Sequence, residues 1–126
     1  MIRDYRLIGT WRSDARKTAL DIAVRRDISA KKKKKLLSIF GKLELRYTPT
    51  HCYSSYEGTT SANRYKVVAK DSSSVALVVE NPIMGEHIVH IHFEGAYYWI
   101  LLGSGRMREF FKRIDSRQKR TKTKDR

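Results

Sequence analysis

Two histidines spaced by two residues, His90 and His92, are the side chains of this sequence best suited to chemistry. In a β-strand they share one face, and the apolar residues between and beside them share the other. If the histidines face inward with Tyr97 or Trp99, their neutral imidazoles could bind a ligand carboxylate, a metal or a haem iron. If they face outward, they are simply solvated. Because no third ligand stands at a recognisable spacing, we predict no metal and no cofactor.

The segment that follows the histidines, Tyr97–Leu102, is apolar on both of its faces. A turn at Glu94 and Gly95 joins it to the histidine strand. A change of one residue in the length of that turn decides whether Trp99 shares a face with Ile91 or with the histidines. The sequence leaves this register open.

Nucleophilic and acid–base chemistry has little support in the sequence. Cys52 is the only cysteine, and the adjacent His51 would point to the opposite face of a strand, where it cannot activate the thiol. The acids of the strand region are scattered and form no recognisable pair; they are Glu57, Glu80, Glu86, Glu94 and Glu109. We therefore predict no catalytic residues and favour a protein that is not an enzyme.

The elements that would position these residues begin with a strand at residues 7–13. Residues 15–26 are ambiguous, and their period-two spacing favours a strand or an irregular crossing. Ser29 is a good N-cap, and the lysines and leucines after it form a helix that ends at Gly41. Its apolar face is predicted to lie across the end of a sheet; that face consists of Ile28, Leu36, Ile39 and Phe40.

Beyond Gly41 the apolar residues alternate with period two between short polar or glycine-containing turns. Seven strands are predicted, at residues 42–48, 51–57, 64–70, 75–80, 87–94, 97–102 and 107–114. Eight strands joined by short turns favour an antiparallel up-and-down meander that closes into a barrel. The fold class is therefore mainly β, an antiparallel up-and-down β-barrel with one α-helix in the N-terminal half.

Three features together resemble the calycin superfamily of lipocalin-like and fatty-acid-binding-like barrels. They are the Gly9-Thr10-Trp11 triplet, the helix before the meander and the basic last strand at 107–113. The resemblance implies a lipocalin-like barrel in which Trp11 closes the floor and an arginine of the last strand packs over its indole. Arg113 or Arg108 would be that partner, in a cation–π contact of about 1 kcal/mol. The chain lacks the second lipocalin motif and the lipocalin disulfides.

The resemblance also implies a ligand site, since fatty-acid-binding-like barrels hold a ligand carboxylate with an Arg-x-Tyr on a late strand. Here Arg108 stands at the arginine position and Phe110 replaces the tyrosine, and the alternative is that Arg108 is a surface arginine or one that stacks on a tryptophan. The predicted ligand-binding residues are Arg108, Tyr98, Trp99, His90 and His92. Further tyrosines could line a cavity or be ordinary strand residues; they are Tyr47, Tyr53, Tyr56, Tyr65 and Tyr97.

The net charge of +14 is concentrated in two places. The lysine block contributes +5, and residues 117–126 carry six basic residues against Asp125, another +5, which leaves +4 for the rest. The block is Lys31, Lys32, Lys33, Lys34 and Lys35. This pattern predicts a nearly balanced domain with basic appendages, which could bind nucleic acid or an anionic membrane surface in a salt-dependent way.

The length of 126 residues fits one domain. We expect a barrel domain at residues 1–116 and a basic, disordered tail at 117–126. No apolar run is long enough for a transmembrane helix, no export signal precedes the first strand, and a single cysteine fits a reducing compartment, so we expect a cytoplasmic protein. The leading functional hypothesis is a non-enzymatic barrel that holds an amphipathic or anionic ligand in its cavity, with the helix as a lid. The alternatives are the basic scaffold and a histidine-based haem, metal or enzyme site.

Overall fold

The fold is a closed antiparallel β-barrel of eight strands, each paired with the next along the chain and the last with the first. The computed structural model describes residues 3–38, 40–83, 85–102 and 107–114. These residues form β1 (Gly9–Ser13), α1 (Ala15–Ala23), α2 (Ala30–Leu37), β2 (Leu43–Tyr47), β3 (His51–Tyr56), β4 (Thr59–Lys70), β5 (Ser74–Asn81), β6 (Gly85–Glu94), β7 (Tyr97–Leu102) and β8 (Met107–Ile114). The predicted mainly-β up-and-down barrel is confirmed, and the predicted tail at 117–126 lies outside the described residues.

Every second residue of each strand points into the barrel. Trp11 of β1 is opposite Leu45 of β2 and Arg113 of β8, and Tyr47 is opposite Cys52, so these side chains share the inner face. The buried core is aromatic and β-branched, which suits a pleated surface. It comprises Leu7, Trp11, Tyr47, Tyr65, Val67, Val75, Leu77, Ile91, Tyr98 and Phe111.

Residues 15–23 form the helix α1, so the prediction of a strand or irregular crossing there was wrong. The carboxylate of Asp14 accepts a hydrogen bond from the backbone N–H of Lys17 at 2.9 Å and caps the first turn. Thr18 and Ile22, four residues apart, are buried against the outer face of β8. The cap and this spacing outweigh the period-two pattern that had favoured a strand.

The second helix, α2, ends earlier than predicted and does not cross the end of a sheet. Ser29 caps it by accepting from the N–H of Lys32 at 3.2 Å, as expected of a serine there, but the last helical residue is Leu37 rather than Phe40. No residue of α2 is buried, and α2 packs mainly against α1. The prediction that this helix forms a lid across the end of the strands is therefore wrong. Phe40 is buried, but it lies beyond the end of the helix. Residue 39, also predicted on the apolar face, lies outside the described residues.

The two ends of the barrel differ in what lies over them. At one end the start of β1, the turns joining β2 to β3 and β4 to β5, and residues 3–8 come together. We call this the closed end. At the other end lie the start of β2 and the turns joining β3 to β4 and β5 to β6. We call this the open end, because several apolar inner-face side chains there are only partly buried.

Candidate functional site

The closed end is sealed by a tryptophan and an arginine. The indole N–H of Trp11 donates to the carbonyl of Leu7 at 2.9 Å. The guanidinium of Arg113 lies 4.4 Å from the centre of the Trp11 ring and donates to the carbonyls of Ile8, at 2.7 Å, and of Arg6. Gly9 has a φ of 130°, and a Cβ there would lie 2.5 Å from Nη1 of Arg113. The glycine of the triplet therefore makes room for the arginine that covers the tryptophan.

A second arginine fastens the N-terminal segment over the same end. Arg6 lies 4.6 Å from the centre of the Phe93 ring and donates to the carbonyl of Ser72 at 2.9 Å. It also pairs with Asp4 at 2.5 Å, and hydrogen bonding from Arg6 lowers the pKa of that carboxyl below its ordinary value. Among the described residues, the closed end is thus covered by residues 3–8.

The middle of the barrel contains a buried pair of tyrosine hydroxyls. The hydroxyls of Tyr47 and Tyr98 lie 3.1 Å apart, and burial raises the pKa of both well above the ordinary value. Cys52 faces the same interior, and burial raises the pKa of its thiol to about 11. His51 points to the other face and stacks on Tyr53, so the thiol has no activating base there.

The open end exposes part of the inner face to solvent. Apolar inner-face residues near it are only partly buried, although they pack against the core; they are Leu43, Leu45, Val79, Val89 and Ile100. Tyr56, at the end of β3, is 37% exposed, and His87 on β6 is exposed. Since these positions alternate with outward-facing ones, part of the inner face is accessible to solvent at this end.

A buried carboxyl lies on the inner face in this half of the barrel. Glu109 is opposite Ile100, is only 8% exposed, and accepts a hydrogen bond from the hydroxyl of Ser13 at 2.7 Å. That hydroxyl in turn accepts from the backbone N–H of Gly41 at 3.0 Å. Burial raises the pKa of Glu109 and outweighs the hydrogen bond from Ser13, which lowers it. A carboxyl held in this way can act as an acceptor and, when protonated, as a donor.

Four of the five predicted ligand-binding residues come together, but on the outside of the barrel. The rings of His90 and His92 lie 4.2 Å apart, and His92 stacks on Trp99 at 4.0 Å. Arg108 lies 5.0 Å from the centre of the Trp99 ring. We call this row the outer ladder. Its residues alternate with Ile91, which is buried inside, so the reading that placed the histidines inside the barrel was wrong, and the outward alternative holds.

Arg108 cannot hold a ligand carboxylate inside the barrel. Its guanidinium pairs with Asp21 of α1 and is on the outer face of β8. Arg108 faces outward because its neighbour Glu109 faces inward in the alternation of β8, and it lies over Trp99, as the alternative of a tryptophan-stacking arginine had it. Arg113 rather than Arg108 is the arginine that packs over Trp11.

Of the predicted ligand-binding residues, Tyr98 alone faces the interior. The other tyrosines divide between the two faces: Tyr47 and Tyr65 are buried inside, Tyr56 is at the open end, and Tyr53 and Tyr97 face outward. Glu109 was not predicted as a site residue. Its spacing of two from Phe111 was the available signal, but Phe110 is also buried, on the outer face beneath α1, so the aromatic residues of β8 alone do not identify the inner face.

The comparisons with known proteins leave the family open. The chain matches no protein-family model, no curated protein and no solved structure at a significant level. The closed eight-stranded antiparallel barrel is compatible with a calycin-like fold. Within the described ranges there is no cluster of three or more residues that could hold a metal ion, and no helix long and apolar enough to cross a membrane.

Proposed function

We propose that this protein binds an uncharged amphipathic small molecule in the half of the barrel next to the open end. The observation that carries the proposal is the change in burial along the inner face. Ile91 and Tyr98 are fully buried, whereas Val89 and Ile100, each two residues closer to the open end, are partly exposed. Val89 and Ile100 therefore present apolar surface that a ligand could reach from the open end.

The lining of this half has the composition of a small-molecule site, which is mostly apolar with a few placed polar groups. The aliphatic side chains of Leu43, Leu45, Val79, Val89 and Ile100 supply the walls. The hydroxyls of Ser54 and Ser61, 2.5 Å apart, and the carboxyl of Glu109 supply the polar groups. Such a lining suits a molecule with an apolar body and a hydrogen-bonding head.

The charges of the site favour an uncharged ligand over an anionic one. In the open half of the described strands, the inner face carries hydroxyls, an amide, an imidazole and a carboxyl, but no lysine or arginine. An anion would therefore be buried beside Glu109 without a cation to pair with, which is costly. A non-enzymatic role, membership of the calycin superfamily and a cytoplasmic location are parts of this proposal.

The test blocks the interior with a bulky side chain and uses the next residue as a matched control. Ile100 faces inward, whereas Leu101 faces outward and is 54% exposed. We expect the wild-type protein and Leu101→Trp to bind the uncharged fluorescent probe Nile red with a single saturable transition. Ile100→Trp should weaken that binding at least about tenfold, the loss expected when about 1.4 kcal/mol of contact is removed.

Native mass spectrometry of gently purified protein, beside a denatured control, then identifies the class of the natural ligand. A stoichiometric adduct that is present on the wild type and on Leu101→Trp, but absent from Ile100→Trp, supports the proposal. Equal probe binding by the two variants, or tighter binding of an anionic probe such as anilinonaphthalene sulfonate than of Nile red, would contradict it.

A further inference from the structure

The helical pair on the outside of β8 presents an unpartnered apolar stripe. Thr18 and Ile22 of α1 are buried against the barrel, so the opposite face of the helix points away from it. That face carries Leu20, which is 67% exposed, and Val24 at the C-cap, which is 77% exposed. These two aliphatic side chains are four residues apart and leave most of their apolar surface in solvent.

Basic side chains surround this stripe. The ammonium of Lys33 donates to the carbonyl of Ala23 at 3.1 Å, which places α2 beside the C-terminal end of α1. The other four lysines of α2 are exposed, and α2 contains no acidic residue. Arg16, on the same face of α1 as Leu20, adds another exposed cation.

The acidic residues of the same region are already engaged. Asp14 caps α1, Asp21 pairs with Arg108, and Asp27 pairs with Arg25 at 2.7 Å. The helical pair therefore combines cations with exposed aliphatic side chains. We call Arg16, Leu20, Val24 and the exposed lysines of α2 the basic apolar face.

We propose that the basic apolar face adsorbs the protein onto the surface of an anionic lipid bilayer. A helix with a charged face and exposed aliphatic residues lies in the interface, where the apolar groups enter the acyl boundary and the cations bind anionic headgroups. The lysines alone would also attract a nucleic acid, but a phosphate backbone gives Leu20 and Val24 no apolar surface to enter. The exposed pair Leu20 and Val24 therefore favours an anionic bilayer over a nucleic acid. This inference does not depend on a ligand inside the barrel.

The test measures cosedimentation of the full chain with vesicles made of equal parts phosphatidylglycerol and phosphatidylcholine. Leu20→Ser combined with Val24→Ser is the apolar variant, and its matched control is Ile88→Ser combined with Leu101→Ser, which removes two exposed aliphatic residues from β6 and β7. We expect the apolar variant to bind about tenfold more weakly than the wild type, and the control to bind as the wild type does.

Charge is tested with the same assay. The basic variant carries Lys31→Gln, Lys32→Gln and Lys34→Gln, and its control removes three exposed bases of the barrel, Arg64→Gln, Lys66→Gln and Lys112→Gln. We expect the basic variant to lose roughly a hundredfold in affinity, because each cation near an anionic surface contributes about 1 kcal/mol, and the control to lose far less. Binding to pure phosphatidylcholine should be negligible for all of them.

Two results would overturn the proposal. One is equal vesicle binding by the apolar variant and its control. The other is tighter binding of a single-stranded RNA than of the vesicles, with RNA affinity unaffected by Leu20→Ser and Val24→Ser, which would assign the lysines to nucleic acid. Because every variant retains residues 115–126, the differences report on the helices, and an unchanged urea midpoint shows that each variant is folded.

Discussion

The two ends of the barrel follow the same alternation of inward and outward residues and yet reach different outcomes. At the closed end, Trp11 and Phe111 meet Tyr98 in a packed aromatic cluster beneath Arg113. At the open end the inward residues are smaller or polar, and no arginine lies over them in the part of the chain that the structure describes. The comparison shows that inward direction alone does not bury a side chain; the size of its neighbours and a covering segment do.

The energetic roles of the two ends differ accordingly. Large, fully buried side chains supply most of the hydrophobic free energy of folding. Partly exposed inner-face residues such as Val89 supply less. The same half contains the carboxyl of Glu109, whose burial opposes its ionisation. The closed end thus stabilises the fold, and the open end keeps accessible surface. Three experiments test that division.

The largest expected difference comes from adding volume at each end. Val75, fully buried near the closed end, should not tolerate phenylalanine, and we expect Val75→Phe to lower the free energy of unfolding by about 3 kcal/mol. Val89→Phe near the open end should cost less than about 1 kcal/mol, because its side chain can extend into solvent-accessible space. Urea unfolding measures both, and equal costs would show that the open half is as tightly packed as the closed half.

A smaller effect is expected from the arginine that covers Trp11. Arg113→Met keeps much of the aliphatic length but removes the cation–π contact and the hydrogen bonds to two backbone carbonyls, so we expect a loss of about 1 to 2 kcal/mol. Lys112→Met, on the outward-facing neighbour, should change the unfolding free energy by less than about 0.5 kcal/mol. If the two variants unfold at the same urea concentration, Arg113 does not secure the closed end.

The smallest effect concerns the pH dependence of the open end. The pKa of Glu109 is raised in the folded state, so the carboxyl contributes its full stability below its unfolded pKa and loses that contribution as the pH rises through the folded pKa. Glu109→Gln removes this loss. We expect the variant to melt above the wild type at about pH 8 and to converge with it towards about pH 4. A gap that is constant across this range would mean that Glu109 is solvated.

The fold could be predicted from the sequence because turn residues separate the strands. Glycine, proline and short polar runs divide residues 42–114 into period-two segments, and strands joined by short turns pair with their neighbours in order. Helix α1 was missed because its apolar residues Leu20, Ile22 and Val24 are spaced by two. Two of them are exposed in the structure, so the pattern was not a buried face of any kind.

The candidate site was less predictable because it depends on register. The structure pairs Glu94 with Tyr97 across a tight turn, which sets His92 opposite Trp99 on the outer face. The composition of β7 was compatible with either choice, since both its faces are apolar. The ion-pair partner of Arg108 is Asp21, a residue far away in the sequence. Pairings over such distances follow from tertiary packing, which local patterns do not contain.

The reactivity of the single cysteine can report how often the barrel opens. Cys52 has an inward-facing thiol with a pKa of about 11, so at neutral pH very little of it is the reactive thiolate. When the strands around it separate, the thiol returns to an ordinary pKa and meets water. The rate at which an alkylating reagent labels Cys52 in the folded protein therefore measures how often β3 separates from β2 and β4. No engineered probe is needed. A ligand bound in the interior would lower the labelling rate of Cys52. The labelling rate would then report whether the barrel is occupied, even before the ligand is identified.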